Sequence, residues 1–156
     1  MTPLLSLGEV EAYLRAVFPQ ADATASGLRA VSVAPGVATV RLEPGDRHLR
    51  PGGTVSGPSL FGLADYAAYV VILAHVGPVG LAVTTSAQMD FLLRPAPGPL
   101  ACEARLLKLG RRLAVTEARV TDEEGALVAR ASLTYSLPPG WETASAKVAA
   151  EAEAGG

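Results

Sequence analysis

Apolar positions along this chain follow two rhythms, and the changes between them mark out its elements. Leu7, Val10, Leu14, Val17 and Phe18 recur at helical spacing, with Ser6 placed to cap and Pro19 to stop, so Leu5 to Phe18 predicts a short amphipathic helix. Leu28 to Ala34 and Val37 to Glu43 are β-branched, roughly alternating runs joined at Pro35-Gly36, which predicts a hairpin. From Leu60 to Leu73 apolar residues occupy nearly every face, the pattern of a helix surrounded by protein. Pro58 suits its first position, where an N–H would be unpaired anyway, and Ser56 or Gly57 can cap it. Beyond Gly77-Pro78, four strand-like runs follow, at about Leu81 to Leu93, Ala101 to Leu109, Leu113 to Thr121 and Leu127 to Leu137. Turn signals at Pro95-Ala-Pro-Gly-Pro99, Gly110-Arg111 and Asp122-Glu-Glu-Gly125 separate them, predicting an antiparallel meander.

This order packs most naturally as one curled antiparallel sheet of about six strands around the central helix, an α+β architecture in a single domain over residues 1–138. The tail 139–156, low in complexity and without a clear apolar face, is expected to be poorly ordered.

Composition narrows the function. The 156 residues carry 13 Lys and Arg against 15 Asp and Glu, a net charge of −2, which leaves no basic face for nucleic acid or an anionic membrane. The stretch Val55 to Val83 has Asp65 as its only formal charge, yet Pro58 and Gly77-Pro78 confine it to a helix that is short for a bilayer and carries a carboxylate. Cys102 is the only cysteine, excluding an internal disulfide, and the start of the chain lacks the pattern of a signal peptide, so a reducing cytoplasm is expected. Two histidines, His48 and His75, are too few for a metal site of imidazoles within one chain, and solvated or capping roles are expected for them; no metal and no cofactor is expected.

The chemistry concentrates between Arg50 and Asp65. A Gly-rich loop ends on a helix N-terminus, where amides without intrahelical partners can hold an oxyanion; Gly57 is the candidate donor, since Pro58 has no N–H. Two turns on, Asp65 is the sole charge between Arg50 and Asp90, a candidate base or nucleophile for acyl transfer to water. The structural alternative is a helix Asp paired with a buried hydroxyl or a partner's Arg.

The run Arg50-Pro-Gly-Gly53-Thr-Val-Ser56-Gly57-Pro58 followed by Leu63-Ala-Asp65 resembles, without a gap, the motif of PaaI-type hotdog thioesterases. The resemblance continues through Asp90 to Pro95, Lys108 to Arg112 and Gly125 to Tyr135. It implies a hotdog fold and hydrolysis of an acyl-CoA or aryl-CoA thioester, with Asp65 as catalytic acid and Gly57 as oxyanion-hole glycine. The family's strand hydroxyl falls at Thr85, or at Thr84 if the register slips by one. The family's Asn is Arg50 here and its His is Ser56, so a neutral amide has become a cation and an imidazole a small hydroxyl; both stand in the substrate-binding region. Lys108, Arg111 and Arg112 form a basic turn that could meet CoA phosphates. The resemblance further implies a homo-oligomer, dimer or tetramer, with the acyl-CoA groove between subunits. The alternative is a hotdog protein that binds an acyl-CoA or a small aromatic ligand without cleaving it.

Overall fold

A computed structural model describes all 156 residues. Helix α1 (Leu7–Val17) opens on a capping box in which Ser6 and Glu9 exchange hydrogen bonds, and it buries Val10 and Leu14. A single 3₁₀ turn (Pro19–Ala21) and the short α2 (Ala23–Ser26) lead to the hairpin of β1 (Leu28–Ala34) and β2 (Val37–Leu42). Helix α3 (Gly57–Val76) follows, then β3 (Val83–Phe91), β4 (Leu100–Leu109), β5 (Leu113–Thr121) and β6 (Leu127–Ser136).

The six strands form one antiparallel sheet in the order β1-β2-β4-β5-β6-β3, curled around α3. The predicted meander holds for β4 to β6, but β3 pairs with β6 and occupies an edge. Between Phe91 and Leu100 the chain carries Pro95, Pro97 and Pro99, too long and too rigid a link for a tight hairpin, so it crosses to the middle of the sheet instead.

The core is built from α3 on one side and small sheet residues on the other. Ala38, Ala104, Ala118 and Ala131 are fully buried, and their short side chains let Leu63, Val70, Val71 and Leu73 of the helix approach closely. Burial of each such Val or Leu stabilises the fold by about 1.5–3 kcal/mol. At 20 residues, α3 is longer than expected and apolar enough to cross a membrane, yet 72% of its most apolar window is buried inside this chain. The sheet, not lipid, is its solvent.

Both histidines are buried clamps, not solvated groups. His48 accepts from the Gly45 N–H and meets the Ser26 carbonyl at 2.9 Å, tying the loop before α3 to α2. His75 Nε2 accepts from the Gly36 N–H, which leaves Nδ1 to donate to the Val71 carbonyl at 2.7 Å, so the turn of the first hairpin is fixed to α3. Burial holds the His75 imidazole below its ordinary value of 6.5 and keeps it neutral. The unfolded chain therefore binds the extra proton first, and this contribution to stability, present above about pH 6.5, is lost as pH falls. The melting temperature is expected to drop on acidification, and His75→Gln to flatten that drop; an unchanged slope in the variant would assign the acid sensitivity elsewhere.

Residues 141–154, within the tail expected to be poorly ordered, form α4 (Trp141–Ala154). It docks on one face, where Trp141 and Val148 pack against the core and two polar anchors add to them. Ser145 Oγ donates to the Val76 carbonyl at the open end of α3, and Trp141 Nε1 donates to the Arg111 carbonyl at 2.8 Å.

Candidate active site

The first turn of α3 explains which amide is free. Ser56 caps it, its Oγ accepting from the Ser59 N–H at 3.3 Å and donating to Ser59 Oγ at 2.8 Å. Leu60 donates to the Ser56 carbonyl, and Pro58 has no N–H. Gly57 thus presents the one amide of that turn with no acceptor in the chain, at the positive end of a 20-residue helix. A Cβ on Gly57 would rest 3.6 Å from the ring of Phe91, at the far end of β3.

Two turns on, Asp65 is half-buried on the wall of a cleft of about 500 Å³. Its Oδ1 accepts from Thr84 Oγ1 at 2.6 Å and from the Tyr135 hydroxyl at 2.7 Å, while Oδ2 has no partner within the chain. The Tyr135 hydroxyl also reaches the Asp65 main-chain carbonyl at 2.9 Å. Burial first, and then the Asp65 charge, push the Tyr135 phenol well above the ordinary tyrosine range, so it stays a donor at any working pH. Tyr69 stacks on Tyr135 with ring centroids 6.2 Å apart, and its own hydroxyl donates to the Gly80 carbonyl. Burial raises the Tyr69 phenol to about 12.

Thr84 and Tyr135 meet on one carboxylate oxygen because they are cross-strand partners. A β-bulge follows, with Thr84 opposite Tyr135 but Ser86 opposite Thr134, which leaves Thr85 as the extra residue. The hydroxyl on Asp65 is therefore that of Thr84, the register alternative, and Thr85 makes no side-chain hydrogen bond in this chain. Tyr135 was not among the residues singled out from the sequence, although the Thr-Tyr pair at the end of an alternating strand placed an inward tyrosine there. Tyr135→Phe removes one of two donors to a charged acceptor. It is expected to lower kcat about tenfold with KM changed less than about twofold, and equal losses in kcat and folded fraction would reduce Tyr135 to a packing residue.

The remaining candidates lie around these two points. Arg50 is exposed on the loop that leads to Gly57, where the Gly53 N–H donates to its carbonyl. Lys108, Arg111 and Arg112 are exposed at the β4–β5 turn. That turn lies at the Asp65 end of the sheet, since Leu113 and Val83 both pair with Ser136. None of these four cations pairs with an acid in the chain. No group of three or more His, Cys, Asp or Glu gathers where it could hold a metal.

A model of the thioesterase superfamily matches residues 52–129, the span from the Gly-rich loop to the last core strand. The chain belongs to the thioesterase superfamily. A candidate thioesterase from Silicibacter sp. TM1040 is 48% identical, with 89% of this chain and 96% of that one covered at a TM-score of 0.81. A mutant of the phenylacetic acid degradation protein PaaI from Thermus thermophilus is 32% identical, covering 74% and 97% at a TM-score of 0.65. A Streptococcus mutans protein solved with acetyl-CoA bound is 26% identical, covering 72% and 89% at a TM-score of 0.65. Among curated protein sequences none matches. The α+β hotdog fold and the PaaI-type resemblance read from the sequence both stand, and thioester hydrolysis is the chemistry of this superfamily.

Proposed function

We propose that this chain hydrolyses an acyl-CoA or aryl-CoA thioester as a homodimer, with Asp65 of one subunit and the Gly57 amide of the other acting on one carbonyl. The observation that carries this reading is the Asp65 carboxylate itself: Oδ1 is fixed by two hydroxyls while Oδ2 is left free on the wall of a cleft. As a base, Asp65 takes a proton from water as the water oxygen bonds to the thioester carbon. The tetrahedral oxyanion is held by the amide, the C–S bond breaks, and the departing thiolate receives the proton. As a nucleophile, the carboxylate displaces the thiolate to form a mixed anhydride, which water then opens.

Within one chain these two groups cannot share a carbonyl. Asp65 lies eight residues beyond Gly57, a separation of about 12 Å along the helix axis. A second copy removes the difficulty. Strand β3 is an exposed edge, with no proline or lysine to blunt it and with Val83 and Phe91 each more than half exposed. An antiparallel pair of β3 strands centred on Ala87 sets Val83 opposite the partner subunit's Phe91. Val83 adjoins Thr84 and hence Asp65, whereas Phe91 lies against Gly57, so the pairing closes the gap twice per dimer.

In that arrangement Arg50 approaches the neighbouring subunit's Asp65 end, joining Lys108, Arg111 and Arg112 as unpaired cations for CoA phosphates. The buried, unpaired Cys102 fits a reducing cytoplasm. One observation favours the non-catalytic reading: Ser56 Oγ is committed to capping Ser59, so it does not replace the imidazole that the resemblance places there. Release of free thiol from a panel of acyl- and aryl-CoA esters tests the proposal. Tight binding without release would establish the ligand-binding reading instead.

A further inference from the structure

The cleft beside Asp65 has a chemistry of its own. Its α3 wall is the stripe Gly62, Asp65, Tyr66 and Tyr69, spaced i, i+3, i+4, i+7 on one helix face, and the Phe18 to Leu28 segment forms the opposite side. Asp65 is the only formal charge on its lining, which contains no Lys, Arg or His. Its volume of about 500 Å³ is in the range of small-molecule pockets.

Gly62 is the unexplained member of that lining. Glycine inside a helix costs stability relative to alanine, and it is usually kept for a positive φ or a close approach. Neither applies here, because Gly62 has no positive φ and a Cβ built on it meets no atom within 4 Å. Gly80, also on the lining, differs: a Cβ there would fall 2.8 Å from the Tyr13 hydroxyl, so packing accounts for it.

Resting on the thioesterase reading, we propose that this cleft receives an uncharged acyl group, and that the space left open over Gly62 sets the bulk it admits. Although Gln20, Ser26 and the tyrosine hydroxyls give this lining polar groups, an acyl group ending in a carboxylate would meet no cation on it and would face the charge of Asp65, which disfavours it.

The test measures kcat/KM for acetyl-CoA, octanoyl-CoA and succinyl-CoA with wild type, Gly62→Ala and Gly62→Leu. Wild type is expected to prefer octanoyl-CoA over succinyl-CoA at least about a hundredfold. The octanoyl-to-acetyl ratio is expected to fall at least about tenfold in Gly62→Leu and less in Gly62→Ala, while Gly62→Ala melts above wild type. Ratios unchanged in both variants, or succinyl-CoA turned over as well as octanoyl-CoA, would overturn the proposal and leave the thioesterase reading intact. If wild type cleaves none of the three and no aryl-CoA ester of the wider panel, that reading fails, and calorimetric titration with octanoyl-CoA decides the cleft. Binding weakened by Gly62→Leu, or by Gly62→Ala should the larger variant not fold, supports the proposal; binding unaffected or absent in wild type overturns it.

Discussion

Asp65→Asn is expected to lower kcat for thioester hydrolysis by about 10²–10⁴-fold, with KM little changed and the melting temperature within a few degrees of wild type. The substitution is nearly isosteric. Its amide oxygen can still accept from Thr84 and Tyr135, so the two hydroxyls keep their acceptor and α3 keeps its contact with β3 and β6. What disappears is the charge and the free Oδ2, which becomes an NH₂ with no lone pair to take a proton or attack a carbonyl. Both proposed roles of Asp65 need that lone pair, so both require the loss. A variant that folds, binds octanoyl-CoA and turns it over at near wild-type rate would show that Asp65 only anchors two hydroxyls.

The parts of this molecule that were legible in the sequence are those governed by periodicity. The saturation of α3 with apolar residues marked it as the central helix, and the alternating runs of β1, β2 and β4 to β6 marked strands. Pairing was harder, because which edge β3 joins depends on the path of a proline-rich link and on β6 having a free side, neither of which is written in β3 itself. The site shows the same division. Gly57 and Asp65 stood out through helix-end chemistry and isolated charge; Gly57 opens α3 and Asp65 accepts from two hydroxyls. The choice between Thr84 and Thr85 turned on one bulge, since an extra residue exchanges the faces of a strand. Tyr135, seventy residues from Asp65, needed the sheet order before it could be placed beside the carboxylate. Helix α4 docks through Trp141, Ser145 and Val148, one face in which only two residues are large and apolar and two hydrogen bonds do the rest, too sparse a stripe to stand out in an alanine-rich tail.

Mixing two inactive variants is expected to restore activity, and the amount recovered counts the sites. Gly57→Pro deletes the free amide at a helix-entry position where proline is tolerated, and its Cβ would meet the Phe91 ring at an ordinary contact distance of 3.6 Å. Alone it should lose about 10²–10³-fold in kcat, the usual cost of one oxyanion donor. Suppose each site combines Asp65 of one subunit with the partner subunit's Gly57. A mixed dimer of Gly57→Pro with Asp65→Asn then concentrates both defects in one site and leaves the other intact. Random re-association makes half the dimers mixed, each with one of its two sites working, so about a quarter of wild-type activity returns. If both groups of a site came from the same chain, every site would stay defective and nothing would return. Ala87→Pro, which places a proline in the middle of the exposed edge, should abolish both the dimer and the recovery. Recovery from monomers that sediment singly would refute the shared site, whereas recovery that tracks the dimer fraction ties catalysis to the β3 edge.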